Sequence, residues 1–181
     1  YLKNTVVSLA DNVKDSKAYD AEGNIHEGFT SGSFFVAEGS SMYTWYTYDF
    51  AGVDPQTGKS LWWKNVLDED GNVTGREKTD DYSSATKYLT GKTTLAPVFG
   101  GFGTSISFYG VDFAINFTYQ LGGRQYDGTY ATFMYSPTSS QVGYNYHVDL
   151  YDSWTPENAS SNIPRFQYAE TYNNASSTRY L

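Results

Sequence analysis

From residue 110 to residue 121 the chain reads GVDFAINFTYQL, and its side chains alternate without a slip. Val111, Phe113, Ile115, Phe117, Tyr119 and Leu121 are apolar or aromatic, while Gly110, Asp112, Ala114, Asn116, Thr118 and Gln120 are small or polar. A period of two marks a β-strand with one apolar face. Just upstream, Ile106 and Phe108 alternate with Ser105 and Ser107, so Tyr109-Gly110 predicts a tight reversal between two strands. Twelve residues at ~3.3 Å each extend ~40 Å, and a tilt of ~45° gives a height of ~28 Å. The apolar band of an outer-membrane barrel is ~25 Å tall. Periodicity fits a soluble β-sandwich strand equally well.

Elsewhere the pattern is less regular. NTVVSLA (4–10) predicts a short strand, and SMYTWYTYDF (41–50) predicts one strand with aromatic residues on both faces. Asp54-Pro55 and Thr57-Gly58 form a turn signal, with proline supplying a fixed φ and glycine a positive one. DEDGN (68–72) is a second turn. SKAYDAEGNIHEGF (16–29) reads as an exposed loop turning at Gly23-Asn24, and the charged, Ser/Thr-rich stretch 74–94 reads as another loop. After Leu121 the pattern dissolves into turn formers for the rest of the chain. A short turn at one end and a long excursion at the other is the asymmetry of a transmembrane β-barrel. No apolar run approaches the ~18 residues of a membrane helix. Tyr1-Leu2-Lys3 lacks signal-peptide character, so the chain is expected to begin inside a longer protein.

Composition sharpens the fold class. Leu, Ile, Val and Phe supply 35 of 181 residues, a supply thin enough to suggest disorder. Against that stand 18 Tyr and 4 Trp, which strands favour and disordered segments lack. An all-β protein with aromatic residues at its surfaces or interfaces reconciles the two. The formal charge of −8 leaves no basic footprint for nucleic acid. With no cysteine, disulfides, thiolate metal sites and cysteine nucleophiles are excluded.

Candidate chemistry is sparse. Asp68, Asp70 and Asn72 have the spacing of a calcium loop, but Val73 stands where that loop needs glycine, so a hairpin turn is the better account. His26 and His147 lack a third metal ligand nearby in sequence. Nucleophile-elbow and phosphate-loop patterns are absent, and no cofactor or metal is expected. Carboxylate pairs such as Asp80-Asp81 read as solvated loop acids, although a hydrolase would need two such groups converging. In WTPENASSNIPR (154–165), Thr155 is placed to cap a helical turn, with Pro156 next and Glu157 in its first turn.

In succession, several stretches resemble a known family. AGVDPQTGKSLWW (51–63) looks like the Gly-x-Asp-Pro-x-Thr-Gly turn of SusC/RagA-like, TonB-dependent outer-membrane transporters of the Bacteroidota. LAPVFGGFGTSISFYGVDFAINFTYQLGG (95–123) is similar to their Pro-x-x-x-Gly-Gly-Phe strand, short turn and return strand. YDGTYATFM (126–134), WTPENASSNIPR and the closing SSTRYL (176–181) follow in the family's order. The match covers most of the chain after about residue 38 and is weak before it.

This resemblance implies that residues 1–181 are part of a large antiparallel transmembrane β-barrel with long extracellular loops, lacking the plug, signal sequence and final strands. Val111, Phe113, Ile115, Phe117, Tyr119 and Leu121 would then face lipid, with Asp112, Asn116, Thr118 and Gln120 in the barrel interior. Tyr109-Gly110 would be a periplasmic turn, and the region after Leu121 a loop on the cell surface. The implied function is energised import of a large nutrient, an oligosaccharide first and a peptide second, without bond chemistry. Implied partners are a SusD-like surface lipoprotein and the TonB complex, the latter through the missing N-terminal region. Trp62, Trp63 and Trp154 are candidates for contact with substrate or lid. The rival readings are a soluble carbohydrate-binding β-sandwich, whose apolar strand face would meet a second sheet, and a secreted glycan hydrolase.

Overall fold

The computed structural model describes residues 4–138 and 143–181, so the opening Tyr1-Leu2-Lys3 lies outside the described residues. Its strands are β1 (Ser16–Asp20), β2 (Ile25–Ser31), β3 (Phe34–Ala37), β4 (Thr44–Tyr48), β5 (Phe50–Val53), β6 (Ser60–Leu67), β7 (Val73–Thr79), β8 (Lys87–Thr93), β9 (Val98–Phe108) and β10 (Val111–Leu121). They sort into three separate sheets, not one continuous wall. Among the described residues no helix is long and apolar enough to cross a membrane, which says nothing of strands.

The first sheet is a small closed barrel in the order β1-β2-β3-β4-β8. Neighbours run antiparallel except β1 and β8, which are parallel. Ala18, Phe35, Ala37 and Leu89 are buried inside it, with Tyr46 packed against them. Five strands enclose little space, so small residues must stand opposite the large ones. A Cβ on Gly28 would lie 1.9 Å from the Val36 carbonyl oxygen. That explains why 16–29 is a hairpin and not the expected loop: its inward positions are Ala18 and Gly28, which leave no trace in a search for large apolar residues. Residues 4–10 are not the expected strand. Val6 makes two backbone bonds, donating to Ser40 and accepting from Gly39, each at 2.9 Å, and no ladder follows.

Tyr48 and Lys87 are cross-strand partners, so residues 49–86 are an insertion in what would otherwise be a β4–β8 hairpin. The insertion is the second sheet, β5-β6-β7. The single strand expected over 41–50 is therefore two, β4 and β5, separated at Asp49. The loop expected over 74–94 holds β7 and β8. Strand β7 carries charge where an apolar pattern would be sought. Its Arg76 guanidinium lies 4.8 Å from the Trp63 ring centre and 4.2 Å from that of Tyr88, and pairs with Asp49 at 2.7 Å. Cations over aromatic faces replace apolar contact there.

The third sheet is the β9–β10 hairpin, in register from Val111 opposite Phe108 to Leu121 opposite Val98. Tyr109 and Gly110 both have positive φ, 48° and 81°, the geometry of a two-residue hairpin turn. Strand β9 is longer than its alternation suggested, because FGGFG interrupts the pattern. The Tyr119 ring lies across Gly100, where a Cβ would meet its hydroxyl at 2.7 Å. The hairpin base is tied to the barrel: Arg124 N–H donates to the Thr93 carbonyl at 2.8 Å, and Gly123 leaves room for no Cβ beside Thr94.

The described residues after Gly123 hold α1 (Gly128–Phe133) and several single helical turns, and α1 is capped by the Asp127 carboxylate accepting from Tyr130 N–H at 2.8 Å. Ala131, Met134 and Tyr180 form the core of this C-terminal layer, and burial pushes the Tyr180 phenol up to about 12.

Candidate functional site

Three surfaces qualify. The first is the β9–β10 hairpin. Val111, Phe113, Phe117, Tyr119 and Leu121 are each between 42% and 70% exposed, and Ile115 is half-buried. The register places Val98, Phe102, Ile106 and Phe108 on the same face, with Phe102 stacked on Phe117 at 4.9 Å. The opposite face carries Asp112, Asn116, Thr118 and Gln120, paired across with Ser107, Gly103, Gly101 and Phe99. Among the described residues no other strand pairs with either edge, and no second sheet covers the apolar face. An isolated two-stranded hairpin is marginal in water.

The second surface is a clamp that joins two motifs about a hundred residues apart. The Asp54–Lys59 turn closes with Gly58 N–H donating to the Asp54 carbonyl at 2.8 Å, while the Asp54 carboxylate accepts from Gln56 N–H and the Thr57 hydroxyl. Trp154 lies flat against Gly58, where a Cβ would come within 2.3 Å of Cε3, and its indole N–H donates to Pro55 at 3.1 Å. Arg165 donates from its backbone N–H to Gly58 and from Nη1 to Thr57. Its guanidinium also grips the Glu170 carboxylate with two bonds, which raise its already high pKa. Asn173 carries the chain of contacts on to Ser60 at the start of β6. The Thr155 cap forms as expected, accepting from Asn158 N–H at 3.2 Å over a single turn, Pro156–Asn158.

The third surface is a cavity of about 260 Å³ between the barrel rim and the C-terminal layer. Trp45, Tyr46, Tyr82 and Tyr126 wall it, and Lys87 reaches it from β8. The sequence reading missed it because its walls come from five separate segments.

The tryptophan candidates fare differently. Trp62 is 1% exposed and edge-on to Tyr82 at 5.1 Å, so it has no open face and acts as a packing residue. Trp63 is partly open, but the Arg76 and Lys78 cations lie over its ring. Trp154 is engaged by the clamp and is partly open. None of the three lines the cavity.

The remaining polar candidates serve turns. Burial raises the Asp20 carboxyl, but hydrogen bonds from His26, Asn24 and Glu22 outweigh it and hold the group down to about 2. Asp68 accepts from Asn72 and Asp70 in the same arrangement, so both carboxylate oxygens are committed to a hairpin turn. His147 Nδ1 accepts from Asp149 N–H at 3.2 Å.

No family model and no curated protein matches the chain. Solved structures do. A structure of the RagAB peptide transporter matches at 22% identity with a TM-score of 0.64, covering 86% of this chain and 17% of that one. A structure of the RagAB peptide importer in the closed-closed state matches with the same identity and coverage and a TM-score of 0.61. The open-open state gives 17% identity and a TM-score of 0.54. The chain thus spans less than a fifth of the chains it resembles, and what it shares with them is the fold of a β-rich segment.

Proposed function

We propose that this chain is part of an outer-membrane import barrel, in which β9 and β10 cross the bilayer and the rest stands on the extracellular side. The carrying observation is the hairpin: an eleven-residue strand pair with one apolar face that, among the described residues, no second sheet covers. Eleven residues at ~3.3 Å, tilted ~45°, match the ~25 Å apolar band. On this reading Val111, Phe113, Ile115, Phe117, Tyr119 and Leu121 meet acyl chains. Asp112, Asn116, Thr118 and Gln120 meet the aqueous interior, and neighbouring strands of the intact protein satisfy both edges, since open edges in lipid are too costly. The likeness to RagAB chains supports the same placement. Cargo would be an oligosaccharide or a peptide, a SusD-like lipoprotein would cover the outer mouth, and TonB would drive release. Trp63 and Trp154 remain candidates for the lid or cargo side.

Lipid-depth fluorescence tests this. In the intact protein, tryptophan introduced as Phe113→Trp should be quenched by brominated acyl chains, and Thr118→Trp should not. Equal quenching, or none at either position, would sink the membrane assignment. The β-sandwich alternative needs a sheet across the apolar face, and among the described residues none lies there.

A further inference from the structure

We propose that the cavity at the barrel rim binds one carboxylate-bearing sugar ring, a hexuronate unit, with Lys87 as its counter-charge. The inference rests on the import reading only for the ring's role as cargo. At about 260 Å³ the cavity lies just under the range of roughly 300–1,000 Å³ that suits drug-sized ligands, so it accommodates one ring and not a whole oligomer. The Trp45 and Tyr126 rings pack on each other with centres 6.3 Å apart and planes tilted by 43°, and both line the cavity, giving it a continuous aromatic wall. The Trp45 indole N–H is held by the Arg124 carbonyl at 3.0 Å, which fixes the ring before any ligand arrives. Flat apolar ring faces stack on such walls, and hydroxyl side chains of Thr30, Ser33 and Thr47 supply polar partners around the rim.

Charge decides the class. The protein carries 20 acidic and 12 basic residues, yet among the described residues no carboxylate lines this cavity, and the one charged side chain there is Lys87. The Lys87 ammonium sits 5.3 Å and 6.0 Å from the ring centres of Tyr48 and Tyr46, so aromatic faces hold it in place. A cation oriented by aromatic faces in an acid-free cavity selects an anionic ligand. A peptide could offer a terminal carboxylate. Strand addition, one common way for a peptide to bind a sheet, needs a free edge, and this closed barrel has none, whereas a ring needs only the aromatic wall and the cation.

The test is calorimetric titration of the purified intact protein with an oligoglucuronate, a glucose oligomer of equal length and an acidic peptide. The expected result is uronate binding at least ten-fold tighter than the neutral sugar, with that preference abolished in Lys87→Gln, an exposed position whose change leaves the fold intact. Equal affinity for both sugars, a preference that survives Lys87→Gln, binding of the peptide alone, or no binding at all would each overturn it. Protein that passes the lipid-quenching test but ignores uronate overturns this inference alone. Protein that binds uronate but fails quenching overturns the import reading alone.

Discussion

Replacing Gly58 by alanine would drive a Cβ into the Trp154 indole at a φ of +72°, a backbone conformation that side chains resist. The expected cost is about 2–4 kcal/mol, from overpacking and backbone strain together. Denaturant unfolding of Gly58→Ala checks it, and Trp154→Leu in the same chain should recover part of the loss, because the two positions touch. On the hairpin, Ile115→Arg should destabilise the intact protein by ~2–4 kcal/mol if that face meets the bilayer midplane, while Asn116→Lys should be far better tolerated. Equal damage from both substitutions would contradict the assignment. Tryptophan, by contrast, was a poor guide on its own. Neighbours in sequence, Trp62 and Trp63 differ because alternation on β6 buries one and leaves the other under cations from β7.

At the scale of elements, two hairpins share one turn. DAEGN (20–24) and DEDGN (68–72) each use the leading Asp to accept from the residues two and four positions on, and each places glycine at positive φ before the closing Asn. In the first, the Asp20 pKa lies below its unfolded value. The stability it contributes is therefore fully present above pH ~4 and is lost as pH falls towards ~2. Asp20→Asn should cost at most about 2 kcal/mol at pH 7. That gap from the unsubstituted protein should narrow below pH 4 and vanish near pH 2, as read by urea midpoints across the range. The turn at 68–72 and the β9–β10 pair were legible in the sequence because they use strong local signals: an Asp-Gly turn, and alternation of large side chains. β1, β2 and β7 were not. Small residues facing a narrow barrel and arginine stacked on aromatic rings carry no hydrophobic period. The clamp motifs stood out, but only the fold reveals that they hold each other.

At the largest scale, the described residues form a strand-built lobe and a two-stranded ribbon with which no other described strand pairs. The Arg76–Asp49 pair reaches from the inserted sheet to the junction of β4 with β5, and Asp49 also accepts from Thr178 of the C-terminal layer at 2.9 Å. Arg76→Ala should therefore loosen three parts at once. Hydrogen exchange in the intact protein should show lost protection in β5–β7 and around Thr178, with β9–β10 unchanged. A purely local effect on β7 would argue that the lobe's parts are independent.

The insertion at residues 49–86 also sets a clock. Strand β4 is made long before β8, the partner that closes the barrel on both sides, through β4 and through the parallel contact with β1. Until β8 arrives, the four-stranded precursor has two open edges, and joining them means closing a long loop. Pulse-labelled exchange during refolding should find amides of the β1–β2 and β2–β3 ladders protected first, and those of β8 last. The rim cavity, whose cation sits on the first residue of β8 and whose lining includes Tyr126 and Ser176 from later in the chain, would be the last thing the lobe acquires: the proposed site would not exist in a newly made chain until that scaffold had closed.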